Sequence, residues 1–537
     1  MPNFPINSAP QVLYDHFISN NNNFYKQFHY LNPRSYKKTS LYEEYNSNHD
    51  KYLSEFLFST LDEVRIRKAN DYAEVVLFRG DMEDADYFRR SLLRKEVVGD
   101  IDYNKHRDHA AHTAYNYLLG WYFYDNVPAI KKSFSEHTRI SFSNDHNPTT
   151  DEEMNMFGMS WFYTSLLHDI GYIFEGSLNS LDNESYNDRI RRGATIIYDY
   201  FHNRFWFDLG IDSQSGRSVL HKLINMDYGN LTEVKTIASL GDMLMSVGSV
   251  KNIVEYANKV SPSIYNPVFN NREDFDVPLD SFELWTMYFD QIKKGGMKDR
   301  VKQLKITYKE LLYRGYKGEG VRLIDHGIAS GLILLQYATH FFKLYFTLNL
   351  FDDLIKQIAD ENHWSLKANK KDIIDRILGH EIKEMYDLKK NEVNIIWSLI
   401  NSVNEHKIPE HFKYDARFWC SGILRATAAV AFHHVLQDPA SFPGYLKDGK
   451  FKKLSIKSDP LTYLGILVDI LQEWDRYNVI PEGIFGTNLP VQGIDVELSV
   501  CKNKICIKYN NMKVAQKVRE SLSKSLNQWE AFVQIVD

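Results

Sequence analysis

Residues 161–172, WFYTSLLHDIGY, decide how the chain folds, because an apolar helix ends there on a His-Asp pair. The aliphatic and aromatic residues that precede His168 and Asp169 predict a buried helix, and Gly171 predicts its end. A helix that ends in this way can direct both polar side chains into one cavity. Imidazole and carboxylate groups bind divalent cations, and a carboxylate can bridge two of them. The stretch therefore predicts a buried metal site.

The composition is that of a folded globular protein. The chain has 537 residues, of which 44% are hydrophobic and 25% are charged. Its 64 basic and 70 acidic residues give a formal charge of −6, which argues against a broad nucleic-acid-binding surface. Three cysteines do not make a disulfide framework, and the first residues lack the features of a secretory signal. We therefore expect a cytoplasmic protein in a reducing compartment.

The pattern of apolar residues is mainly helical. It predicts helices over residues 113–125, 152–168, 189–205, 328–351, 391–403, 416–436 and 460–476. We expect an N-terminal helical and loop segment over residues 1–100 and a main helical domain over residues 101–485. Loops rich in Asn, Pro and Gly indicate a large helical insertion in that domain, at about residues 180–320. A small α/β appendage is expected over residues 486–537.

The most apolar long stretch, residues 330–351, is long enough to cross a membrane. Polar residues interrupt it at several depths, and a charge such as that of Lys343 is costly in hydrocarbon. We therefore predict a buried core helix and no membrane association.

The tail of the chain has a different pattern. Residues 495–509 alternate between apolar and polar around a turn at residues 502–504, which predicts a β-hairpin followed by an amphipathic helix. Cys501 and Cys506 lie on this hairpin without a second pair at zinc-binding spacing. We expect these two cysteines to pack as ordinary small apolar residues.

Ligand-type side chains also lie on or beside other apolar helices. His112 opens the helix predicted at residues 113–125, and His109 one turn earlier is the alternative. The other candidates, in chain order, are His326, His433, His434 and Asp469. A carboxylate among aliphatic residues is costly to bury unless it is paired or binds a metal.

Each of these residues alone also has a structural explanation. His112 could be a hydrogen-bonded core histidine, and His326 could be a helix cap. Asp469 could be the ion-pair partner of Arg425 or Arg476. Their joint order, with every member beside an apolar helix, favours one shared metal site.

Two other arrangements compete with this one. A second His-Asp dipeptide, at residues 49–50, lies in a polar stretch, where we expect it to be exposed and uninvolved. Asp242 could close a shorter site, with His202 and His221 between it and the first pair. Its flanks are less apolar than those of Asp469, so we favour Asp469.

The arrangement resembles the HD superfamily of metal-dependent phosphohydrolases, over roughly residues 107–476. LLHDIG at residues 166–171 is similar to the central motif of that superfamily, and the order H…HD…H…HH…D is similar to that of the HD-GYP phosphodiesterases. The order also resembles the HD nuclease domain of CRISPR helicase-nucleases. A group of bacterial HD-domain proteins is similar in four segments, namely RDHAAH, HDIGYIFE, DHGIASG and DPLTYLGILVDILQEW. The resemblance implies an all-helical HD-type domain that holds one or two divalent ions, which could be Mn, Fe, Mg, Ni or Zn.

The resemblance also implies roles for individual residues. The implied metal ligands are His112, His168, Asp169, His326, His433, His434 and Asp469. Asp169 would bridge two ions, and Tyr172 is a catalytic candidate at a position where HD-GYP proteins carry a lysine. Arg425 is a further catalytic candidate, because it lies two helical turns before His433 on one face and a guanidinium binds phosphate.

These roles imply an enzyme that hydrolyses a small phosphate ester, with a nucleotide or cyclic nucleotide as the expected substrate. The loop after His433 and His434 lacks the glycines that flank the GYP triplet of HD-GYP proteins, which argues against cyclic di-GMP. The alternatives are a nucleotide-binding signalling protein with a degenerate HD fold and a metal-dependent nuclease. A homo-oligomer is compatible with the sequence.

Overall fold

The computed structural model describes residues 7–19, 40–60, 62–73, 109–141, 148–169, 313–315, 322–324, 326–327, 330–331, 334, 351–379, 388–405, 425–437, 453–472 and 496–536. This part of the chain is mainly helical and ends in a small α/β unit, as predicted, and that unit consists of a three-stranded sheet with one helix. The helices are α1 (Ala9–Ser19), α2 (Ser40–Leu57), α3 (Asp62–Asp71), α4 (His109–Asn126), α5 (Pro128–Ser141), α6 (Thr150–Leu167), α7 (Lys370–Leu378), α8 (Lys390–Glu405), α9 (Arg425–Gln437), α10 (Pro460–Leu471) and α11 (Met512–Ser525). The strands are β1 (Tyr313–Gly315), β2 (Arg322–Ile324), β3 (Val496–Cys501), β4 (Lys504–Tyr509) and β5 (Val533–Val536).

The core lies where α4, α6, α9 and α10 pack against one another. Every side chain from residue 111 to residue 124 of α4 is buried, and a helix that is buried on all sides belongs in the centre of a protein. Helices α9 and α10 are buried along almost their whole described length. Polar groups on these helices therefore lie in the interior.

Local signals set where two of the core helices begin. Thr149 and Glu152 form a capping box at the start of α6, in which each side chain accepts a hydrogen bond from the other residue's backbone N–H. Asp459 caps α10 by accepting a hydrogen bond from the backbone N–H of Thr462, and Pro460 occupies the first helical position. Helix α10 ends at Leu471, five residues before the predicted end, so the prediction of its end is wrong.

Two glycines allow close packing within the core. A Cβ atom on Gly120 of α4 would lie 2.6 Å from Nε1 of Trp161 in α6. A Cβ atom on Gly331 would lie 2.9 Å from the backbone of Ala431 in α9. The segment that carries His326 therefore lies directly against α9, because no side chain separates the two backbones.

The predicted C-terminal hairpin is confirmed by the antiparallel pair β3–β4. Lys502 in its turn has a left-handed backbone with φ of 62°. Strand β5 was not predicted, and it pairs in parallel with β4 after the crossover helix α11. The expectation for the two cysteines is wrong, since Cys501 and Cys506 form a disulfide across the hairpin.

The C-terminal appendage packs on the ends of two core helices. The hydroxyl of Tyr509 in β4 donates a 2.7 Å hydrogen bond to the carbonyl of Leu471, at the end of α10. The hydroxyl of Ser525 in α11 donates to the carbonyl of Gln437, at the end of α9. The appendage therefore helps to fix the positions of α9 and α10.

Strands β1 and β2 form an antiparallel hairpin that ends two residues before His326. Most of the expected insertion at about residues 180–320, and residues 335–350 of the predicted core helix, lie outside the described residues. Within the described ranges, no helix combines the length and apolar character that a membrane crossing needs. The domain boundaries stay predictions.

Candidate metal centre

The core holds a cluster of buried histidines and aspartates from separate parts of the chain. His112 lies on α4, His168 and Asp169 follow α6, His433 lies on α9 and Asp469 on α10. His326 completes the cluster from the segment after β2. All six residues are between 2% and 5% exposed. Because buried charges are costly, such a cluster needs either mutual neutralisation or a bound cation.

One half of the cluster lies around His112, His168 and Asp469. Nε2 of His112 is 2.7 Å from Oδ1 of Asp469, and Nε2 of His168 is 3.8 Å from the same oxygen. Oδ2 of Asp169 faces both imidazoles, at 3.3 Å from Nε2 of His168 and 4.0 Å from Nε2 of His112. Two carboxylates and two imidazoles thus face one another.

The other half of the cluster lies around the second oxygen of Asp169. Oδ1 is 3.7 Å from Nε2 of His326 and 3.8 Å from Nε2 of His433. The rings of His168 and His433 are perpendicular, with their centroids 5.0 Å apart. The two oxygens of Asp169 therefore face different pairs of histidines, which is the arrangement of a carboxylate that bridges two ions.

The histidines are held by hydrogen bonds on their opposite ring nitrogens. Nδ1 of His168 donates to the carbonyl of Ser165 at 2.8 Å, and Nδ1 of His433 donates to the carbonyl of Val430 at 2.7 Å. A carbonyl can only accept, so Nδ1 carries the proton in each ring. Nε2 is then available as a ligand atom and is directed at the carboxylates.

The environment gives the two histidines different proton affinities. Burial opposes protonation of His168, but the negative charges of Asp169 and Asp469 outweigh it and raise the pKa of His168. Burial and the nearby charge of His168 lower the pKa of His433 to about 4, although the two carboxylates oppose this shift. Without metal, a protonated His168 would partly balance the carboxylates, whereas His433 is neutral at neutral pH.

The ligand atoms fit divalent ions. Two groups each bring three ligand atoms within 4.8 Å of one another, the first made of His112, His168 and Asp469 and the second of His168, Asp169 and His433. Nitrogen and oxygen ligands lie about 2.0–2.2 Å from zinc-sized ions. Donor atoms on one such ion are therefore about 3–3.5 Å apart, so small shifts would bring either group into coordination.

The remaining predicted site residues stand at different places. The ring of His434 lies against that of His326, with 4.6 Å between centroids, while His433 faces Asp169. His109 is the first residue of α4, one turn before His112. Tyr172 lies outside the described residues, as do the members of the alternative site: Asp242, His202 and His221.

Arg425 is buried at the start of α9, with 8% of its surface exposed. It lies close to His137 of α5, and after burial its positive charge is the second cause that lowers the pKa of His137. His137 therefore adds no positive charge beside the guanidinium at neutral pH. The roles of Arg425 and of the other site residues stay predictions.

Two amide side chains beside His112 were not predicted from the sequence. Gln472 is fully buried, and its Oε1 accepts a hydrogen bond from Nδ1 of His112. Asn116, one turn after His112 on α4, places Nδ2 at 3.0 Å from Nε2 of His112. The spacing of three residues between Asp469 and Gln472 is a signal for a shared helical face, but amides are too common for it to stand out.

One expectation about the second His-Asp dipeptide is wrong. The side chain of His49 is only 12% exposed, and its Nδ1 lies 3.5 Å from Asp50. Its ring also contacts that of Tyr72, with 5.9 Å between centroids. His49 is therefore part of the packing between α2 and the residues that follow α3.

Comparison with known proteins adds no relative. No protein-family model matches the chain, and no significant match is found among curated proteins or solved structures. The helical fold and the buried His/Asp cluster therefore carry the functional argument.

Proposed function

We propose that the protein is an HD-type metal-dependent phosphohydrolase or phosphodiesterase that hydrolyses a small phosphate ester, with a nucleotide or cyclic nucleotide as substrate. The observation that carries this proposal is the position of Asp169, whose two carboxylate oxygens face separate histidine pairs. A purely structural ion pair would need only one imidazole. Four converging imidazoles and two carboxylates suit one or two divalent ions.

Each proposed ion would have its own set of ligands. His112, His168 and Asp469 would hold the first ion together with Oδ2 of Asp169. The second would be held by Oδ1 of Asp169, His326 and His433, with His434 as the replacement for His433. When bound, such ions polarise a phosphate ester and lower the pKa of a coordinated water.

Arg425 and Tyr172 would act on the substrate. Arg425 lies on the same helix as His433, two turns away, so both side chains can face one substrate. A guanidinium binds two phosphate oxygens at once and keeps its charge when buried. Tyr172, three residues after Asp169, lies outside the described residues and stays a catalytic candidate.

The arrangement supports hydrolysis over the two alternatives. A binding module with a degenerate HD fold would not need six buried ligand-type side chains. A nuclease is less favoured because the chain has a net charge of −6 and nucleic-acid binding generally uses a basic surface. The proposed partner is therefore a small phosphorylated molecule in the cytoplasm.

The test combines metal analysis with a panel of phosphomonoesters, nucleotides and cyclic nucleotides. Full-length protein, purified without chelators or metal-affinity tags, should contain about one to two divalent ions per chain. It should also hydrolyse at least one class of phosphate ester after addition of Mn, Fe, Ni, Mg or Zn. Folded protein that takes up none of these metals would overturn the proposal, and so would metal-loaded protein that is inactive across the panel.

A further inference from the structure

The side chain of Asn116 has an unusual position in the cluster. It is 1% exposed, and its Nδ2 lies 3.0 Å from Nε2 of His112. Its Oδ1 is buried and makes no hydrogen bond within the part of the chain that the structure describes. A buried carbonyl oxygen without a partner is destabilising, so its presence beside a ligand-type histidine needs an explanation.

The hydrogen bonds of His112 indicate which of its ring nitrogens carries a proton. Oε1 of Gln472 can only accept, so Nδ1 of His112 carries a proton. In the neutral ring, Nε2 then presents a lone pair to Oδ1 of Asp469, at 2.7 Å. Two acceptors this close repel each other unless a proton or a metal ion lies between them. Nδ2 of Asn116 lies 3.0 Å from the first of these two atoms, Nε2 of His112.

A metal ion beside His112 would favour the opposite orientation of the Asn116 amide group. A half-turn about its terminal torsion exchanges Oδ1 and Nδ2 without moving the rest of the side chain. Oδ1 would then lie where Nδ2 now lies, about 3 Å from Nε2 of His112. Two donors at right angles on an octahedral ion, each about 2.1 Å away, are also about 3 Å apart.

We infer that Asn116 is a metal ligand, which supplies its carboxamide oxygen to the ion held by His112, His168 and Asp469. This inference rests on the proposed metal site and adds to it a neutral oxygen donor. In the metal-free protein, the amide N–H donates to His112 instead and keeps its ring in place. Since amide oxygens suit hard cations, Asn116 favours Mn²⁺ and Mg²⁺ at this position.

Two substitutions of Asn116 have opposite expected effects. Asn116→Leu keeps the size but removes both polar atoms, so Mn²⁺ affinity should fall by at least about tenfold. The melting temperature of the metal-free protein should change little, because losing the contact of Nδ2 with His112 is offset by removing the buried Oδ1 that has no partner. Asn116→Asp supplies an oxygen and a third carboxylate, so the metal-free protein should melt lower while Mn²⁺ affinity equals or exceeds that of wild type.

The control is Asn126→Leu on the same helix. Nδ2 of Asn126 donates to the carbonyl of Tyr122 at 2.9 Å, and Asn126 lies almost three turns beyond Asn116. Full-length wild type and the three variants would be stripped of metal and titrated with Mn²⁺, with free Mn²⁺ followed by electron paramagnetic resonance. Metal-free melting temperatures would be measured in parallel.

The results separate this inference from the proposed function. Wild-type affinity in Asn116→Leu would overturn the inference, as would equal losses in Asn116→Leu and Asn126→Leu. If Asn116→Leu does not fold, Asn116→Asp provides the test. Weakened Mn²⁺ binding in Asn116→Asp would show that metal binding depends on the amide N–H and not on the side-chain oxygen, and would overturn the inference. If the wild type binds Mn²⁺ through Asn116 but hydrolyses no phosphate ester, the inference is supported and the proposed function is overturned. Folded wild type that binds no metal would overturn both.

Discussion

His112 and Asp469 are separated by 357 residues in the sequence, yet Nε2 of His112 lies 2.7 Å from Oδ1 of Asp469. The contact joins α4 to α10 in the centre of the core. It brings a ligand-type nitrogen and a carboxylate oxygen close enough to share one ion, so it defines one half of the candidate metal centre.

Asp469→Asn should remove one of the two ions. The amide keeps the shape of the side chain but lacks the negative charge that balances the ion beside His112. The second ion, near Asp169, His326 and His433, should remain. Elemental analysis should therefore show a fall from about two ions per chain to about one. Asp360→Asn, at an exposed position, is the matched control, and unchanged stoichiometry in Asp469→Asn would contradict the assignment.

Asp169→Asn should have a larger effect than Asp469→Asn. Because each oxygen of Asp169 faces a different histidine pair, its loss should lower metal affinity at both positions by at least about 100-fold. Hydrolysis should be lost with it. The melting temperature should remain close to that of metal-free wild type, since the side-chain shape is retained. Full activity of the folded Asp169→Asn protein would exclude hydrolysis at this site.

Metal affinity should rise with pH through the raised pKa of His168. The carboxylates favour the protonated form of His168, and a metal must displace that proton before it can bind Nε2. Below this pKa, affinity should fall by up to about tenfold per pH unit. His433, with its pKa of about 4, should not contribute near neutral pH. Calorimetric titration at about pH 6, in buffers of different ionisation enthalpy, should detect proton release on binding.

The stability of the metal-free protein should depend on pH in the opposite direction. A group whose pKa is raised by folding stabilises the fold while it is protonated. The contribution of His168 is therefore fully present below its unfolded pKa, about 6.5, and is lost as pH rises through its raised folded pKa. Urea unfolding of the metal-free protein measures this, and a free energy of unfolding that rises from about pH 6 to 7.5 would contradict this account of His168.

Gly120→Ala should destabilise the fold. The new Cβ atom would lie 2.6 Å from Nε1 of Trp161, and the large indole has no free space into which it could move because Trp161 is fully buried. Overpacking of this kind costs about 1–3 kcal/mol. Gly465→Ala on α10 is the control, since its Cβ would lie 3.5 Å from Cγ2 of Thr164, an ordinary contact. Urea unfolding should show a lower midpoint for Gly120→Ala than for Gly465→Ala, which gains helix propensity.

Several parts of the site could be predicted because they depend on local pattern. The apolar residues before His168 and Asp169 indicate a buried helix, and the aliphatic neighbours of Asp469 indicate a buried carboxylate. Both predictions are confirmed by their burial. Where the pattern was purely local, as in the β3–β4 hairpin, the prediction also held. Strand β5 was missed because four residues carry too little periodicity, and its pairing with β4 spans the whole of α11.

Local sequence pattern was enough to predict which helices are buried and which ligand-type residues they carry, because helical periodicity shows which faces lack polar residues. It could not determine which faces meet. The packed fold was needed to show that His433 faces Asp169 while His434 lies against His326. It was also needed to show that Asn116 and Gln472 flank His112. These contacts join residues from different helices, and the relative rotation of those helices is set by packing at positions such as Gly120 and Gly331 rather than by any local preference.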